Sequence, residues 1–551
     1  MIRTHKLFPI LLALLAVPAL DSRVQQQKFY DDDPIWEEPV TQNVTNATRY
    51  EPDLTYENLV NLFGHPGDPV LGQRAKNVNT VDEVPDGPFY VNRAGRIYLT
   101  PAIVARAANT GDGPAAGPWN IISAKSDGIT PGFTVRDKAG TVWYLKFDPP
   151  GFRAMATGSE IVGAKLFWAL GYHTAEYHIA RLVPSNLVIT ANATITPPGQ
   201  AKRAMRQGDV EWLLRHADRD PDGSYRVIAS KAIPGRYLGR IRFDGTRADD
   251  PNDVIPHEHR RELRGYFVFA AWLNHVDVKG INSIVSLVTE NDRTFIRRYL
   301  LDFGSILGSA GTEPREGWEG FETLVEAPRE ILKRAVTFGL LVPKWRRMTF
   351  YETPAIGRVP RDNMSWNPNN WQPHITNAAF RHTRADDKFW AAYKLTFITE
   401  EIVRAAVAEG QFGDEASEKI LVKMILERQA KILAAYLPAI NPIVDPVLGT
   451  DGRLTFRNIA VETRVADPPR GYRATWSTFD NVTGVSTAFA VTEALDTSLP
   501  APKLPETSFI KVEVSAVSPP VPSWEEPIIL YFRKGTGTWT LVGLERLPDR
   551  R

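Results

Sequence analysis

Apolar and polar positions alternate across residues 141–147 (TVWYLKF), which predicts a β-strand following a turn at 137–140. A period of two puts Val142, Tyr144 and Lys146 on one face and Trp143, Leu145 and Phe147 on the other. The period then lengthens. Ile161, Ala164, Leu166, Phe167 and Leu170 keep helical spacing, with Ser159 as the expected cap and Gly171 as the stop. The same reading predicts strands at 176–182 and 225–230, a helix over 260–273, and a strand pair at 284–288 and 295–301. Residues 399–437 read as helix in two pieces, broken near 410–414. Beyond residue 441 helical patterns stop, and short alternating runs end in a hairpin, 528–533 and 538–544, around a turn at 534–537. Residues 20–118 are rich in Pro, Asp, Asn and Gly with little periodicity, and read as an irregular extension wrapping the next unit.

Length and charge narrow the class. At 551 residues and 43% hydrophobic, the chain is long enough for several units and too apolar for disorder. With 65 Lys+Arg against 64 Asp+Glu, no global charge draws it to nucleic acid or acidic lipid. Zero cysteines exclude disulfides, thiolate metal sites and a cysteine nucleophile. At the start, Arg3, His5 and Lys6 precede an apolar run of about 14 residues, short of the roughly 20 a membrane helix needs. Small Val17 and Ala19 follow at the −3 and −1 positions, so residues 1–19 read as a signal peptide. The expected product is an exported bacterial protein, periplasmic or secreted, with no integral membrane segment after cleavage.

The chemistry concentrates in Asn274-His275-Val276-Asp277-Val278-Lys279-Gly280-Ile281-Asn282, directly after the 260–273 helix, and in Asp302-Phe303-Gly304 at a strand end. Metal-assisted phosphoryl transfer needs a carboxylate for the nucleophile's proton and a lysine to neutralise the migrating group. It also needs an amide oxygen and a second carboxylate for the metal, and a separate lysine for the other phosphates. Lys146 and Glu160 stand upstream for that last task.

This set resembles the protein-kinase-like superfamily: His-x-Asp-x-Lys-x-x-Asn matches its catalytic loop and Asp-Phe-Gly its metal motif. The four fixed loop positions would recur by chance in about one of several hundred chains this long, Asp-Phe-Gly in roughly one of ten. The resemblance implies that Asp277 is the catalytic base, Lys279 the charge stabiliser, and Asn282 and Asp302 the ligands of Mg2+ or Mn2+. It makes Lys146 the ATP-phosphate lysine and Glu160 its helix partner. A glutamate opening a helix that ends in Leu170-Gly171 looks like the HipA-type branch, whose short phosphate loop resembles residues 125–132. That adds Ser126, Gly128 and Gly132 as nucleotide-binding residues. Departures are a missing Gly-x-Gly-x-x-Gly loop, Val276 where an arginine is usual, and no Ala-Pro-Glu motif. They put an activation-loop switch and a peptide platform in doubt.

Other residues read more plainly: His275 as a core histidine, Asp148 as a loop-surface residue, and His257 and His259 as part of a loop leading into a helix. The segment 366–371 (WNPNNW) reads as an Asn/Pro-rich turn in preference to a sugar-stacking platform. The expected fold class is α+β, a two-lobed kinase-like fold. It comprises an extension (20–118), a small β-rich N-lobe (119–238), a mostly helical C-lobe (239–440) and an all-β C-terminal domain (441–551). The expected function is ATP-dependent transfer to a protein, glycan or small-molecule hydroxyl. The alternative is a non-catalytic nucleotide- or ligand-binding envelope protein on a kinase-derived scaffold, a reading sharpened by the scarcity of ATP in the periplasm.

Overall fold

The alternating run around Lys146 becomes the middle strand of the largest sheet. The computed structural model describes residues 27–124, 131–197, 200–324, 332, 335–337, 340, 342, 344–363 and 365–547. Residues 1–19, expected to be a signal peptide, and the segment 125–130 lie outside them. Among the described residues the extension holds two short helices, α1 (Leu54–Leu59) and α2 (Pro101–Arg106), and a π-helical turn.

The sheet region follows in the order β1 (Trp119–Ala124), β2 (Gly132–Arg136), β3 (Val142–Phe147), α3 (Met155–Ala169), β4 (Tyr177–Leu182), β5 (Leu187–Ile195), β6 (Arg203–Ala204), α4 (Gln207–Arg215) and β7 (Tyr225–Lys231). Strand order is β4-β7-β3-β2-β1-β5-β6, antiparallel except where β1 lies parallel to β5. Trp143, Leu145 and Phe147 bury one face of β3 against Phe133, Val135 and the α4 leucines Leu213 and Leu214. Lys146 leaves from the opposite face, toward α3.

Next come β8 (Arg236–Gly239), α5 (Arg261–Leu273), β9 (Ser283–Glu290) and β10 (Arg293–Leu300), the strands ordered β10-β9-β8. A hairpin, β11 (Phe350–Thr353) and β12 (Gly357–Pro360), precedes α6 (Ala378–Arg381), α7 (Ala385–Leu395), α8 (Glu400–Glu409) and α9 (Glu415–Tyr436). Gly265 lets α5 lie close on α7, because a Cβ there would come 2.6 Å from the Trp390 ring. The C-terminal strands are β13 (Ile443–Leu448), β14 (Arg453–Asn458), β15 (Gly471–Phe479), β16 (Ser486–Ala494), β17 (Ser498–Pro500), β18 (Phe509–Val517), β19 (Ile528–Lys534) and β20 (Trp539–Glu545). They form sheets β13-β14-β17 and β16-β15-β18-β19-β20. The architecture is thus mixed α+β, with one large mixed sheet and several small ones. One apolar cluster runs from Phe167 and Trp272 through Ile432 and Tyr436 to Ile443, Trp476 and Trp524. No described helix is long and apolar enough to cross a membrane.

Two local expectations are corrected. Helix α3 begins at Met155, a turn before Ser159, which is a buried interior residue. Its real anchor is Asp148, buried where a loop-surface residue was expected. That carboxylate accepts the N–H groups of Ala154 (2.9 Å), Ala156 (3.0 Å) and Thr157 (2.9 Å), and the Thr157 hydroxyl (2.8 Å). The otherwise orphaned donors of the first turn end on it.

Candidate active site

Strand β3 delivers Lys146, whose Nζ donates to Glu160 Oε2 at 3.0 Å and to Asp302 Oδ1 at 2.6 Å. Glu160 comes from the second turn of α3 and is 1% exposed. Its other oxygen accepts the Phe303 N–H at 3.2 Å, so one carboxylate ties the lysine to the Asp302-Phe303-Gly304 loop. Gly304 leaves room for that carboxylate, since a Cβ there would come 2.9 Å from Glu160 Oε2 and push it aside. Asp302 itself sits in the left-handed region at φ 62°, ψ 48°, a conformation that costs a residue with a side chain about 1–3 kcal/mol. Phe303 holds it there by stacking on Phe167, ring centres 5.0 Å apart. Burial alone would favour a neutral Lys146, but Asp302 and Glu160 outweigh it and keep the ammonium charged. Gly132 lies directly across the β2–β3 ladder from Lys146. Ser126 and Gly128 fall outside the described residues.

The β9–β10 hairpin explains how Asn282 and Asp302 meet. It starts just after Asn282, ends just before Leu301, and pairs Ser283 with Leu300. The Leu301 N–H then donates to the Asn282 carbonyl at 3.0 Å. On the other side, α5 ends at Asn274 in the left-handed conformation, which turns the chain into the 275–282 segment. His275 is fully buried against Phe167, Tyr266 and Phe303, with both ring nitrogens unbonded, and burial lowers it to about 4. It is a neutral core histidine.

Asp277 Oδ1 lies 2.6 Å from Lys279 Nζ. The Asn282 amide donates to the Asp277 carbonyl (2.7 Å) and to its Oδ2 (3.1 Å). Behind Asp277 stands a group the sequence reading missed. His374 places Nδ1 3.7 Å from Asp277 Oδ1 and Nε2 2.7 Å from Glu319 Oε1, and Arg315 pairs with Glu319 at 3.0 Å. Burial pushes the Asp277 carboxyl up, but His374 and Lys279 more than reverse this and hold it well below the usual carboxylate range. Burial pulls His374 down, and its bonds to Asp277 and Glu319 outweigh that and raise it. Glu57 of the extension was also missed: it accepts the Gly280 N–H at 3.1 Å, pinning the loop from outside, and burial raises its carboxyl.

Asp302 is 46% exposed at its side chain, and Asn282 Oδ1 accepts no hydrogen bond from a described residue. Two hard oxygen donors on neighbouring backbone suit Mg2+ or Mn2+, which take few protein ligands and complete their shells with phosphate and water. No cluster of three or more His, Cys, Asp or Glu able to hold a metal occurs among the described residues. His257 and His259 are used otherwise, His257 against Asp253 (2.8 Å) and His259 against Asp68 (3.0 Å). In the 366–371 segment both tryptophans are buried, and Asn367 caps a 3-10 turn, Pro368–Asn370.

No protein-family model matches the chain, and no curated protein matches it in sequence. Among solved structures, a Helicobacter pylori proinflammatory kinase, CtkA, matches at 12% identity over 56% of this chain and 94% of that one, with a TM-score of 0.27. This is a weak likeness to a kinase, too low to carry residues from one chain to the other.

Proposed function

We propose that the protein is a metal-dependent phosphotransferase of two-lobed kinase-like, HipA-type layout that moves the terminal phosphoryl group of ATP to a hydroxyl. The observation that carries this is the convergence of two groups from distant parts of the chain: Lys146 with Glu160 and Asp302, and Asp277 with Lys279 and Asn282. A structural ion-pair network needs no carboxylate left half open to water beside an amide oxygen that no described residue bonds.

Lys146, oriented by Glu160, would pair with the non-transferred phosphates, with the Gly132 backbone across the ladder from it. Asn282 and Asp302 would hold Mg2+ or Mn2+, which draws charge off the phosphate oxygens when bound. Asp277 takes the acceptor hydroxyl's proton as its oxygen bonds the terminal phosphorus. The bond from that phosphorus to the bridging oxygen breaks, and ADP leaves. Lys279 balances charge on the group in flight. A low proton affinity suits Asp277 to orienting the hydroxyl and accepting its proton late. Val276 supplies no cation for an activation-loop phosphate, so this site carries no such switch.

Export through residues 1–19 belongs to the same proposal, with mature protein starting at or near Leu20. The test incubates purified protein with labelled ATP and Mg2+ or Mn2+ and follows transfer and hydrolysis in wild type and Asp277→Asn. Transfer that collapses in the variant is expected. Nucleotide binding with no transfer from any donor would leave the non-catalytic scaffold in its place. Peptide mapping that finds intact Met1 in cytoplasmic protein would overturn export.

A further inference from the structure

The five-stranded C-terminal sheet has two edges, and the protein treats them differently. Along β20 the extension closes the edge. The Leu544 N–H donates to the Thr80 carbonyl at 2.7 Å, and a Cβ on Gly543 would come 2.5 Å from the Phe29 ring. At the opposite edge stands β16, paired on its inner side with β15. Among the described residues nothing bonds the backbone along its outer side. Such an edge presents a row of N–H and C=O groups to which another strand can pair.

The strand itself is well anchored. Its ladder to β15 runs from Tyr472–Ala494 to Phe479–Ser486, and the Trp476 indole donates to Thr492 Oγ1 at 2.9 Å. Proteins keep edge strands apart with lysine, proline, inward charges or a bulge. Here the ladder passes from Trp476–Ala490 to Ser477–Ala488, which leaves a bulge at Phe489. From 481 to 497 there is no lysine, arginine or proline, and the charges are Glu493 and Asp496. Arg473 of β15 already holds Glu493 at 2.7 Å. Val485 (61% exposed), Phe489 (39%), Val491 (60%) and Leu495 (84%) are left facing water.

We infer that β16 pairs antiparallel with β16 of a second copy of this chain, about a two-fold axis at Ala490. The spacing of the four exposed residues selects this occupant. Across such an axis, residues equally far from Ala490 on either side come opposite each other. Phe489 then meets Val491 of the second copy, and Val485 meets Leu495, each contact occurring twice. Glu493 meets Thr487 and Asp496 meets Gly484, so no like charges oppose. The two bulges fall on opposite sides of the axis. Both ends of the doubled sheet are then β20 edges that the extension has closed, so assembly stops at two.

The test is sedimentation velocity on the full chain, from low micromolar to a few hundred micromolar. Two strand edges bury less than a standard interface, so a monomer–dimer equilibrium in the micromolar range is expected. Val491→Lys and Leu495→Lys, both at water-facing positions, should each weaken the dimer at least tenfold without lowering the melting temperature of the monomer. If one of them fails to fold, the other decides. The chain has no cysteine, so single Phe489→Cys and Val491→Cys chains report the register. Mixed, they should oxidise to a disulfide-linked dimer faster than either does alone. A wild type that stays monomeric at the highest concentration overturns the second copy and leaves the edge to a strand of another protein. A dimer that neither lysine variant weakens also overturns the inference, and equal cross-linking in mixed and unmixed samples overturns the axis at Ala490.

Discussion

Helix α5 carries a cluster of cations and carboxylates at each end, and the two differ in one respect, access to water. At its start Arg260 pairs with Glu38 (2.6 Å), Arg261 with Asp82 (2.8 Å), Asp386 (3.2 Å) and Asp387 (3.3 Å), and Arg264 with Asp387 (3.4 Å). All three arginines are buried. Cations at a helix N-terminus are misplaced with respect to its dipole, and the surrounding carboxylates more than compensate. Just past its end lies Asp277, equally misplaced for a carboxylate, compensated by Lys279 and His374 but 29% exposed. The first cluster has satisfied its charges among themselves. The second, with Asp302 more open still, keeps oxygen atoms that can meet something from solution. Charge density alone does not separate scaffold from site; the exposed remainder does.

The largest expected effect is at the closed end. Arg261→Met strands Asp82, Asp386 and Asp387 with too little counter-charge and should cost about 3–5 kcal/mol, read as a lower denaturation midpoint. A loss under about 1 kcal/mol would break the comparison. At the open end Asp277→Asn should cut turnover about 10²–10⁴-fold with nucleotide affinity within a few-fold, measured by steady-state kinetics and calorimetry. Asp302→Ala should change stability without ligand by less than about 1 kcal/mol, because Lys146 keeps Glu160 and the lost partner was half solvated. The same variant should lose the melting-temperature gain that wild type shows with Mg2+ and nucleotide.

The smallest effect concerns His374. Its raised folded-state affinity for a proton contributes stability that is fully present below about pH 6.5 and lost as pH rises through the higher folded value. Wild type should therefore soften by about 1 kcal/mol or less above neutrality, and His374→Gln should lack that slope while slowing turnover only a few-fold. Denaturation midpoints measured across pH would show it; identical slopes in the two proteins would remove His374 from the support of Asp277.

Much of the open cluster was legible in sequence because its parts are local. Asp277, Lys279 and Asn282 lie within one loop, and a single hairpin closes Asn282 onto Asp302. Helical period and strand alternation placed β3, α5, α8 and α9 to within a residue or two at most ends. What escaped depends on distant partners. Arg261 meets Asp82 and Asp386 from far along the chain, and His374 meets Asp277 across the body of the protein, pairings that leave no periodic trace. Asp148 did leave one, a carboxylate just before Pro149-Pro150-Gly151 and a helix; a surface reading of acidic loop residues hid it.

The extension gives the molecule an order of assembly. Glu38 docks on Arg260, Thr48 on Asp249, Lys76 on His259 and Glu57 on Gly280. Phe29 packs against Phe479 and Tyr531 of the C-terminal strands. Every one of these seats is synthesised long after the segment that fills it. The native partners of Phe29 therefore exist only once the last strands have been made. The Gly280 N–H gains its Glu57 partner only when that early segment is docked.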